Sequence, residues 1–250
     1  KIQLKKKDIN NYKSITKYFS GIDVVVHLAA LSDIVPSIND PKNYLKTNII
    51  GTMNVLEAMR AKKVNKIIYA ASSSCYGLPK IFPTKETESI DTRYPYSFSK
   101  NIGEQVIIHW SRVYKIKYIS LRLFNVYGTR SRTHGAYGAA LGVFLKQKIS
   151  KKPLTIVGNG NQKRDFIYVS DVCEAFYKSI RSKKKNLILN VGSGTPKTVN
   201  YLSNLIGGKK IFISKRPGEP NITHADIKKI KENLKWRPKI TLKEGINKVL

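Results

Sequence analysis

The chain has 250 residues, of which 41% are hydrophobic and 25% are charged, so it can bury a sizeable core in one or two coupled domains. Its apolar runs, such as residues 24–26 and 67–68, have the length of strands and fall far short of a membrane span. Length and composition therefore predict a soluble globular protein and exclude a membrane-spanning one.

The formal net charge of +30 raises the question of a nucleic-acid partner. Only 10 of the 46 basic residues are arginines, and the lysines are spread along the whole chain. Short lysine clusters, at residues 5–7 and 183–185, fall where connections between elements are expected. We interpret the charge as a solvated surface that can help to attract an anionic substrate, and we do not expect a nucleic-acid partner.

Cysteine and histidine show no spacing that would indicate a disulfide framework or a metal site. Cys75 and Cys173 lie far apart, and the four histidines do not form pairs at ligand spacing. We therefore expect a reduced, cytoplasmic protein without a bound metal.

Apolar runs of strand length alternate with amphipathic segments of helix length, which is typical of an α/β fold with a parallel sheet. In chain order the predicted elements are a strand at 1–4, a strand at 22–28, a helix at 42–61, a strand at 66–71, a helix at 96–114, strands at 118–124 and 187–191, a short strand near Ile211 and a helix from Asp226. Residues 128–160 are rich in glycine, arginine and polar residues, so we expect loops that face a substrate there.

A tyrosine and a lysine at four-residue spacing carry the clearest chemical signal. Tyr96 and Lys100 open an amphipathic helix, so their phenol and ammonium groups should share one face. A cation there can stabilise phenolate and make the tyrosine an acid or base near neutral pH. A second such pair, Tyr76 and Lys80, encloses a glycine and a proline and so lies in a loop. The hydroxyls of residues 72–74 follow a strand, where parallel sheets hold ligands.

Eight segments occur in the order found in extended short-chain dehydrogenase/reductases of the NAD-dependent epimerase/dehydratase branch, and the chain resembles that family over nearly its whole length. The matching segments are residues 8–9, 26–30, 48–52, 72–77, 96–100, 122–128, 164–172 and 216–219. The resemblance implies a Rossmann-type doubly wound parallel sheet that binds NAD, at 1–124 with 165–192. It also implies a smaller α/β domain for a nucleotide sugar, at 125–164 with 193–250.

The resemblance implies specific site residues. Tyr96 would be the acid/base, Lys100 would bind the nicotinamide ribose and lower the pKa of the tyrosine, and Ser72 would bond the reacting hydroxyl. The implied cofactor contacts, besides Tyr96 and Lys100, are Asp8, Ile9, Leu28, Ala29, Ala30 and Phe124. The implied substrate contacts are Ser73, Asn125, Arg164, Arg216, Glu219 and Thr223.

The glycine-rich turn that contacts the pyrophosphate in this fold has no counterpart in the sequence. The nearest match, at residues 135–142, has the wrong spacing and no preceding strand. We infer that the first strands and this turn, roughly 50 residues, lie upstream of the chain. The 250 residues alone are expected to be inactive and poorly stable.

The residues after the expected catalytic hydroxyl indicate the reaction. Dehydratase relatives have an Asp-Glu pair there and decarboxylase relatives a Glu, whereas this chain has Ser73 and Ser74. The resemblance is therefore to 4-epimerases, such as those acting on UDP-glucose and UDP-galactose. Thr223 stands where a small residue admits N-acetylated sugars, so UDP-GlcNAc and UDP-GalNAc are further candidate substrates.

Three alternatives remain at this point. One is another sugar-nucleotide enzyme of the same family, above all a uronic-acid 4-epimerase, and less so a decarboxylase or dehydratase. The second is a non-catalytic relative that binds a nucleotide sugar, and the third is one that binds RNA. The resemblance also implies a homodimer formed through the helix that holds Tyr96 and its neighbouring helix.

Overall fold

A computed structural model describes residues 2–131, 140–214 and 220–250, apart from the side chain of Ala140. The strands in these ranges are β1 (Val25–His27), β2 (Lys66–Ser72), β3 (Lys117–Leu123), β4 (Asn125–Tyr127), β5 (Leu154–Val157), β6 (Lys163–Arg164), β7 (Phe166–Tyr168), β8 (Leu187–Val191), β9 (Lys197–Thr198) and β10 (Lys210–Ile213).

The α-helices of the same ranges are α1 (Tyr12–Thr16), α2 (Ile34–Asn39), α3 (Pro41–Leu45), α4 (Gly51–Ala61), α5 (Pro95–Tyr114), α6 (Ala140–Ile149), α7 (Val169–Arg181), α8 (Val199–Ile206), α9 (Lys228–Leu234) and α10 (Leu242–Asn247). A π-helical segment, Lys46–Ile50, joins α3 to α4, and 3₁₀ turns occupy Lys17–Phe19 and Ser73–Tyr76.

A parallel sheet in the order β1-β2-β3-β8 forms the centre of the fold. Successive side chains of a strand point to opposite faces, so Ile68 packs with α7 and α9 while Ile67 packs with α1, α4 and α5. Helices therefore cover both faces, which explains why residues 67–71 of β2 are all apolar or aromatic. The predicted Rossmann-type α/β architecture is confirmed.

A second group of elements surrounds a core of its own. Two parallel pairs, β5 with β10 and β4 with β7, and one antiparallel pair, β6 with β9, lie in this part of the chain. Side chains of β4, β5 and β7 pack there against α6, α8 and α10, with Phe144, Leu202 and Ile246 buried among them. The division into two domains at the bounds given above remains a prediction.

Most predicted elements are present with small differences in length. The helix expected at 42–61 runs as α3, the π-helical segment and α4, and the helix expected at 96–114 is α5. The strands at 66–71, 118–124 and 187–191, the strand near Ile211 and the helix from Asp226 are found within two residues of their predicted bounds.

Three expectations about the elements were wrong. Residues 2–4 form no strand; Ile2 and Leu4 are exposed, since no described strand lies beside them to share backbone hydrogen bonds. The strand expected at 22–28 shortens to β1, because Ile22 and Leu28 lie in exposed segments. Residues 128–160, expected to be loops, contain α6 and β5, whose apolar side chains fill the second core.

None of the helices in the described part of the chain is both long and apolar enough to cross a membrane. Within residues 2–131, 140–214 and 220–250, no three His, Cys, Asp or Glu side chains are grouped as metal ligands. Cys75 is buried and Cys173 is exposed, and both are free thiols.

Candidate active site

A pocket of about 550 Å³ lies at the carboxyl ends of β2 and β3, where parallel sheets bind ligands. Its walls come from the ends of these strands, the segment after β1, the start of α5 and the segment before α9. Ten residues predicted for the site line it: Leu28, Ala30, Ser72, Ser73, Tyr96, Lys100, Phe124, Asn125, Arg164 and Thr223.

The other predicted site residues are not among the residues that line this pocket. Ala29 lies between two that do, and Asp8 accepts a hydrogen bond from the backbone N–H of Asn10 at 2.9 Å. Ile9 packs so closely on Gly51 that a Cβ there would lie 2.6 Å from its side chain. Arg216 and Glu219 fall outside the described residues.

The start of α5 presents Tyr96 to the pocket. Pro95 occupies the first turn, where its missing N–H costs nothing. The hydroxyl of Ser97 accepts the backbone N–H of Tyr94 at 3.1 Å, which satisfies a donor just before the helix. Four residues on, Lys100 lies one turn below Tyr96 on the same side of the helix.

Burial controls the protonation of Tyr96. It raises the pKa of the phenol above its usual value, and the negative charge of Asp33 acts in the same direction. The side chain of Ser72, as a hydrogen-bonding partner, lowers that pKa. Ser72 also bonds the Ser74 hydroxyl at 2.8 Å and accepts the Ser74 backbone N–H at 3.2 Å. A phenol and a hydroxyl thus meet at one wall of the pocket.

Lys100 is almost fully buried beneath this wall. Only 4% of the residue is exposed, and its ammonium nitrogen lies 4.2 Å from the centre of the Tyr69 ring. Burial lowers the pKa of Lys100 to about 7, although the charge of Glu104 raises it. Burial therefore works against the charged form of this lysine.

A buried asparagine ties α5 to the segment after β1. Asn48, in the π-helical segment, accepts the backbone N–H of Leu31 at 2.8 Å and donates to its carbonyl at 2.9 Å. Its amide also donates to the Ser99 hydroxyl at 2.8 Å, which in turn donates to the carbonyl of Tyr96. The sequence presents Asn48 only as the first residue of the matching segment 48–52, which assigns it no contact.

Asp165, whose carboxylate is buried, organises the wall of the pocket that Arg164 and Thr223 line. It accepts hydrogen bonds from the backbone N–H groups of Ser193, Gly194 and Ala225 at 2.6, 3.1 and 2.9 Å. This residue was not among the predicted site residues, because its partners are distant in sequence. It holds together three segments that meet beside the pocket.

Thr223 is fixed by the same arrangement. Its hydroxyl donates to the Asn125 side chain at 2.9 Å and accepts the backbone N–H of Asp165 at 3.0 Å. Arg164 is 8% exposed and donates to the carbonyl of Lys163 at 2.9 Å. The threonine side chain is therefore compact and held against the wall rather than extended into the pocket.

Additional charged residues that were not predicted also line the pocket. Asp33 has a positive φ of 82°, which a non-glycine residue seldom adopts. Arg93 forms an ion pair with Asp91 at 2.7 Å, and both side chains are about half exposed. Both signs of charge are thus available close to Tyr96.

Comparison with known proteins agrees with this geometry. The sequence profile of the NAD-dependent epimerase/dehydratase family matches residues 1–192. A protein of Methanocaldococcus jannaschii, named as a candidate UDP-glucose 4-epimerase, is 38% identical over 239 residues, covering 93% of this chain and 77% of its own. The UDP-glucuronate 4-epimerase of Thermodesulfobacterium geofontis is 31% identical, covering 97% and 76%.

Solved structures give the same picture. The UDP-glucose 4-epimerase of Thermotoga maritima, determined with UDP-glucose, superimposes with a TM-score of 0.92 at 31% identity, covering 97% of this chain and 81% of its own. The Thermus thermophilus UDP-glucose 4-epimerase, determined with NAD, superimposes with a TM-score of 0.87 at 27% identity, covering 96% and 81%.

Proposed function

Because the chain belongs to the NAD-dependent epimerase/dehydratase family, we propose that it is a nucleotide-sugar 4-epimerase that acts by transient oxidation at C4. The observation that carries the proposal is the pocket that Ser72, Tyr96 and Lys100 line together, at the carboxyl ends of the parallel strands. Ser73 lines the same wall, and no carboxylate follows Ser72 as it does in dehydratase or decarboxylase relatives.

The pocket suits the nicotinamide half of the cofactor. Leu28, Ala30 and Phe124 offer apolar wall, and the Lys100 ammonium supplies a donor for ribose hydroxyls beside Tyr96. Asp8, Ile9 and Ala29 would contact the remainder of the dinucleotide. Bound NAD would supply the acceptor for the C4 hydride and return that hydride to the opposite face of the sugar.

The proton chemistry belongs to the chain itself. Tyr96, as phenolate, removes the proton of the C4 hydroxyl, and Ser72 orients that hydroxyl by a hydrogen bond. Burial raises the pKa of Tyr96, and in the proposed mechanism the positive charge of Lys100 opposes this by stabilising the phenolate. The phenol then returns the proton when C4 is reduced again, so the residue ends each cycle unchanged.

The remaining predicted contacts hold the nucleotide. Asn125 and Arg164 line the pocket and would bind the diphosphate and sugar, together with Arg216 and Glu219. Arginine suits a diphosphate because its planar, permanently charged fork donates two hydrogen bonds at once.

The sugar is proposed from Thr223. Its hydroxyl is held by Asn125 and Asp165, so the side chain leaves space that a tyrosine would fill. We propose UDP-glucose and UDP-galactose as the primary substrates. The space beside Thr223 would also accept UDP-GlcNAc and UDP-GalNAc.

A uronic-acid substrate is the second candidate. Arg93 lines the pocket and could pair with a sugar carboxylate. A relative with 31% identity bears the name UDP-glucuronate 4-epimerase.

Proton NMR of the complete gene product separates these substrates. UDP-galactose, UDP-GalNAc and UDP-galacturonate are incubated separately, and the anomeric signals are followed without added cofactor. Growth of the gluco-epimer signal supports the proposal, and the fastest substrate identifies the class. Absence of conversion in all three tubes, also after NAD is added, would refute epimerisation.

A homodimer formed through α4 and α5 is part of the proposal. Four large apolar side chains on these helices or beside them, Ile50, Phe98, Val113 and Tyr114, are 43–51% exposed, and the proposed dimer would cover them. Sedimentation equilibrium should give twice the chain mass, and Phe98→Glu should lower it to the monomer mass. A monomeric parent protein would contradict this assembly.

A further inference from the structure

The ring of Tyr69 lies directly beneath the Lys100 side chain. Tyr69 is the fourth residue of β2, three before Ser72, and is 1% exposed. The Lys100 nitrogen lies 4.2 Å from the ring centroid, well within the range of an attractive cation–π contact. The Tyr69 hydroxyl also approaches the carbonyl of Lys100 at 3.4 Å. The ring face and the hydroxyl of Tyr69 therefore both contact Lys100 of α5.

Neighbouring groups fix the ring in this position. The His27 ring lies 5.6 Å from it, centre to centre, and His27 is itself bonded to Thr52 at 2.9 Å. On the helix side, a Cβ at Gly103 would lie 2.6 Å from the Tyr69 oxygen, so only glycine allows α5 to approach this closely. The ring cannot move away from Lys100 without disturbing β1 or α5.

The groups around Lys100 indicate that the Tyr69 ring favours the charged form of this lysine. Burial favours the neutral amine, whereas Glu104 favours the charged form, but that carboxylate is also paired with Arg122 at 2.6 Å. Burial lowers the pKa of His27 to about 3, so this histidine is neutral and adds no repelling charge. The face of an aromatic ring is negative and favours a cation above it.

We propose that Tyr69 is a positioning residue of the candidate active site, whose ring face holds the Lys100 side chain beside Tyr96 in its ammonium form. The inference rests on the proposed function for the importance of Lys100, but not for the contact itself. Tyr69 would not touch the substrate or the cofactor, and it acts through Lys100 alone.

The test measures the charge state of Lys100 without relying on turnover. The full chain is treated briefly with acetic anhydride, which acylates a lysine amine only in its neutral form, over a pH range from about 5.5 to about 9 that brackets the lowered pKa. Acetylation of Lys100 is then quantified by peptide mass spectrometry. Lys66, on the same strand as Tyr69, donates to the carbonyls of Ile180 and Ser182 and serves as the internal reference.

Tyr69→Phe keeps the ring face and should leave the labelling profile of Lys100 unchanged. Tyr69→Leu removes the ring, and labelling at about pH 6 should rise about tenfold, the change expected for losing a desolvated cation–π contact. Lys66 labelling should be the same in both variants. A loss of packing alone would change the access of the reagent to Lys100 at every pH, rather than the pH at which its labelling begins.

A series of fluorinated phenylalanines at position 69 tests the proposal even if the leucine variant misfolds. They keep the shape of the ring while weakening the negative charge of its face. Labelling of Lys100 at the same pH should rise stepwise from phenylalanine to the trifluoro form. Equal labelling across that series would overturn the proposal, even if the protein epimerises sugars. Conversely, a stepwise rise without sugar turnover would refute only the proposed function.

Discussion

Burial has opposite consequences for the two titratable side chains of the candidate site. It raises the pKa of the Tyr96 phenol and lowers that of the Lys100 ammonium, so each group is driven toward its neutral form. A bound anionic or polar ligand that favours the lysine cation would in turn favour the phenolate. The site is therefore arranged so that ligand binding can change the charge of both residues.

Replacing Lys100 with methionine should stabilise the fold in a pH-dependent way. Because the pKa of Lys100 is about 7 in the folded chain and 10.5 for an unperturbed lysine, the unfolded state binds more protons between these values. The lowering of the unfolding free energy by buried Lys100 is thus greatest below about pH 7 and disappears as pH rises toward 10.5. Lys100→Met should raise the unfolding free energy at about pH 6.5 by roughly 2–5 kcal/mol, measured by urea denaturation.

The pH dependence provides the control for this prediction. The difference in unfolding free energy between Lys100→Met and the parent should narrow at about pH 9.5. The exposed Lys62→Met should have nearly the parent's unfolding free energy at both pH values. An equal gain at both values would mean that Lys100 carries no burial cost.

Tyr96→Phe should abolish most of the proposed epimerisation. The ring and its packing remain, but the group that would transfer the C4 proton is lost, which costs about 10²- to 10⁴-fold in rate. UDP-sugar binding, measured by calorimetry, should be retained. Tyr177→Phe, at an exposed tyrosine on α7, should match the parent rate. Turnover by the Tyr96 variant within about tenfold of the parent would eliminate the phenol as acid/base.

At the scale of elements, Asp165 connects the segments that form the substrate side. Asp165→Ala would leave the N–H groups of Ser193, Gly194 and Ala225 without their acceptor. Each buried unsatisfied donor costs about 1–3 kcal/mol, so the unfolding free energy should fall by about 3 kcal/mol or more. The exposed Asp23→Ala should have almost no effect in the same denaturation assay. A loss for Asp165→Ala as small as that control would contradict the role assigned to the carboxylate.

The elements of the central sheet could be predicted because their signals are local. β2 and β8 are largely apolar, β3 has apolar residues at 118, 119, 121 and 123, and α5 repeats its apolar residues at helical spacing. In contrast, α6 and β5 are not evident from the sequence, because glycine, arginine and polar residues are frequent in residues 128–160. Alternate burial along β5 is the pattern that composition conceals.

The candidate site was predictable only in part for the same reason. Tyr96 and Lys100 share a helix, so their proximity follows from spacing. Asn48 and Asp165 lie in the matching segments 48–52 and 164–172, but their contacts cross long stretches of sequence, so their roles follow only from the fold. The face of Tyr69 under Lys100 likewise depends on how α5 packs on β2, which only the assembled fold determines.

At the scale of the whole molecule, the charge of +30 predicts weak and unspecific attraction to polyanions. Filter binding should detect RNA retention at about 50 mM salt that falls steeply by about 300 mM, because released counterions drive such binding. Binding that persists at the higher salt would favour the RNA-binding alternative over a solvated lysine surface.

In the proposed reaction, C4 loses a hydride and receives the same hydride on its other face. To test this, the complete gene product is incubated with UDP-galactose carrying deuterium at C4, and the product is examined by NMR and mass spectrometry. Transient oxidation at C4 should yield UDP-glucose that retains the deuterium at C4. Product without deuterium at C4, or deuterium exchanged at another carbon, would contradict it.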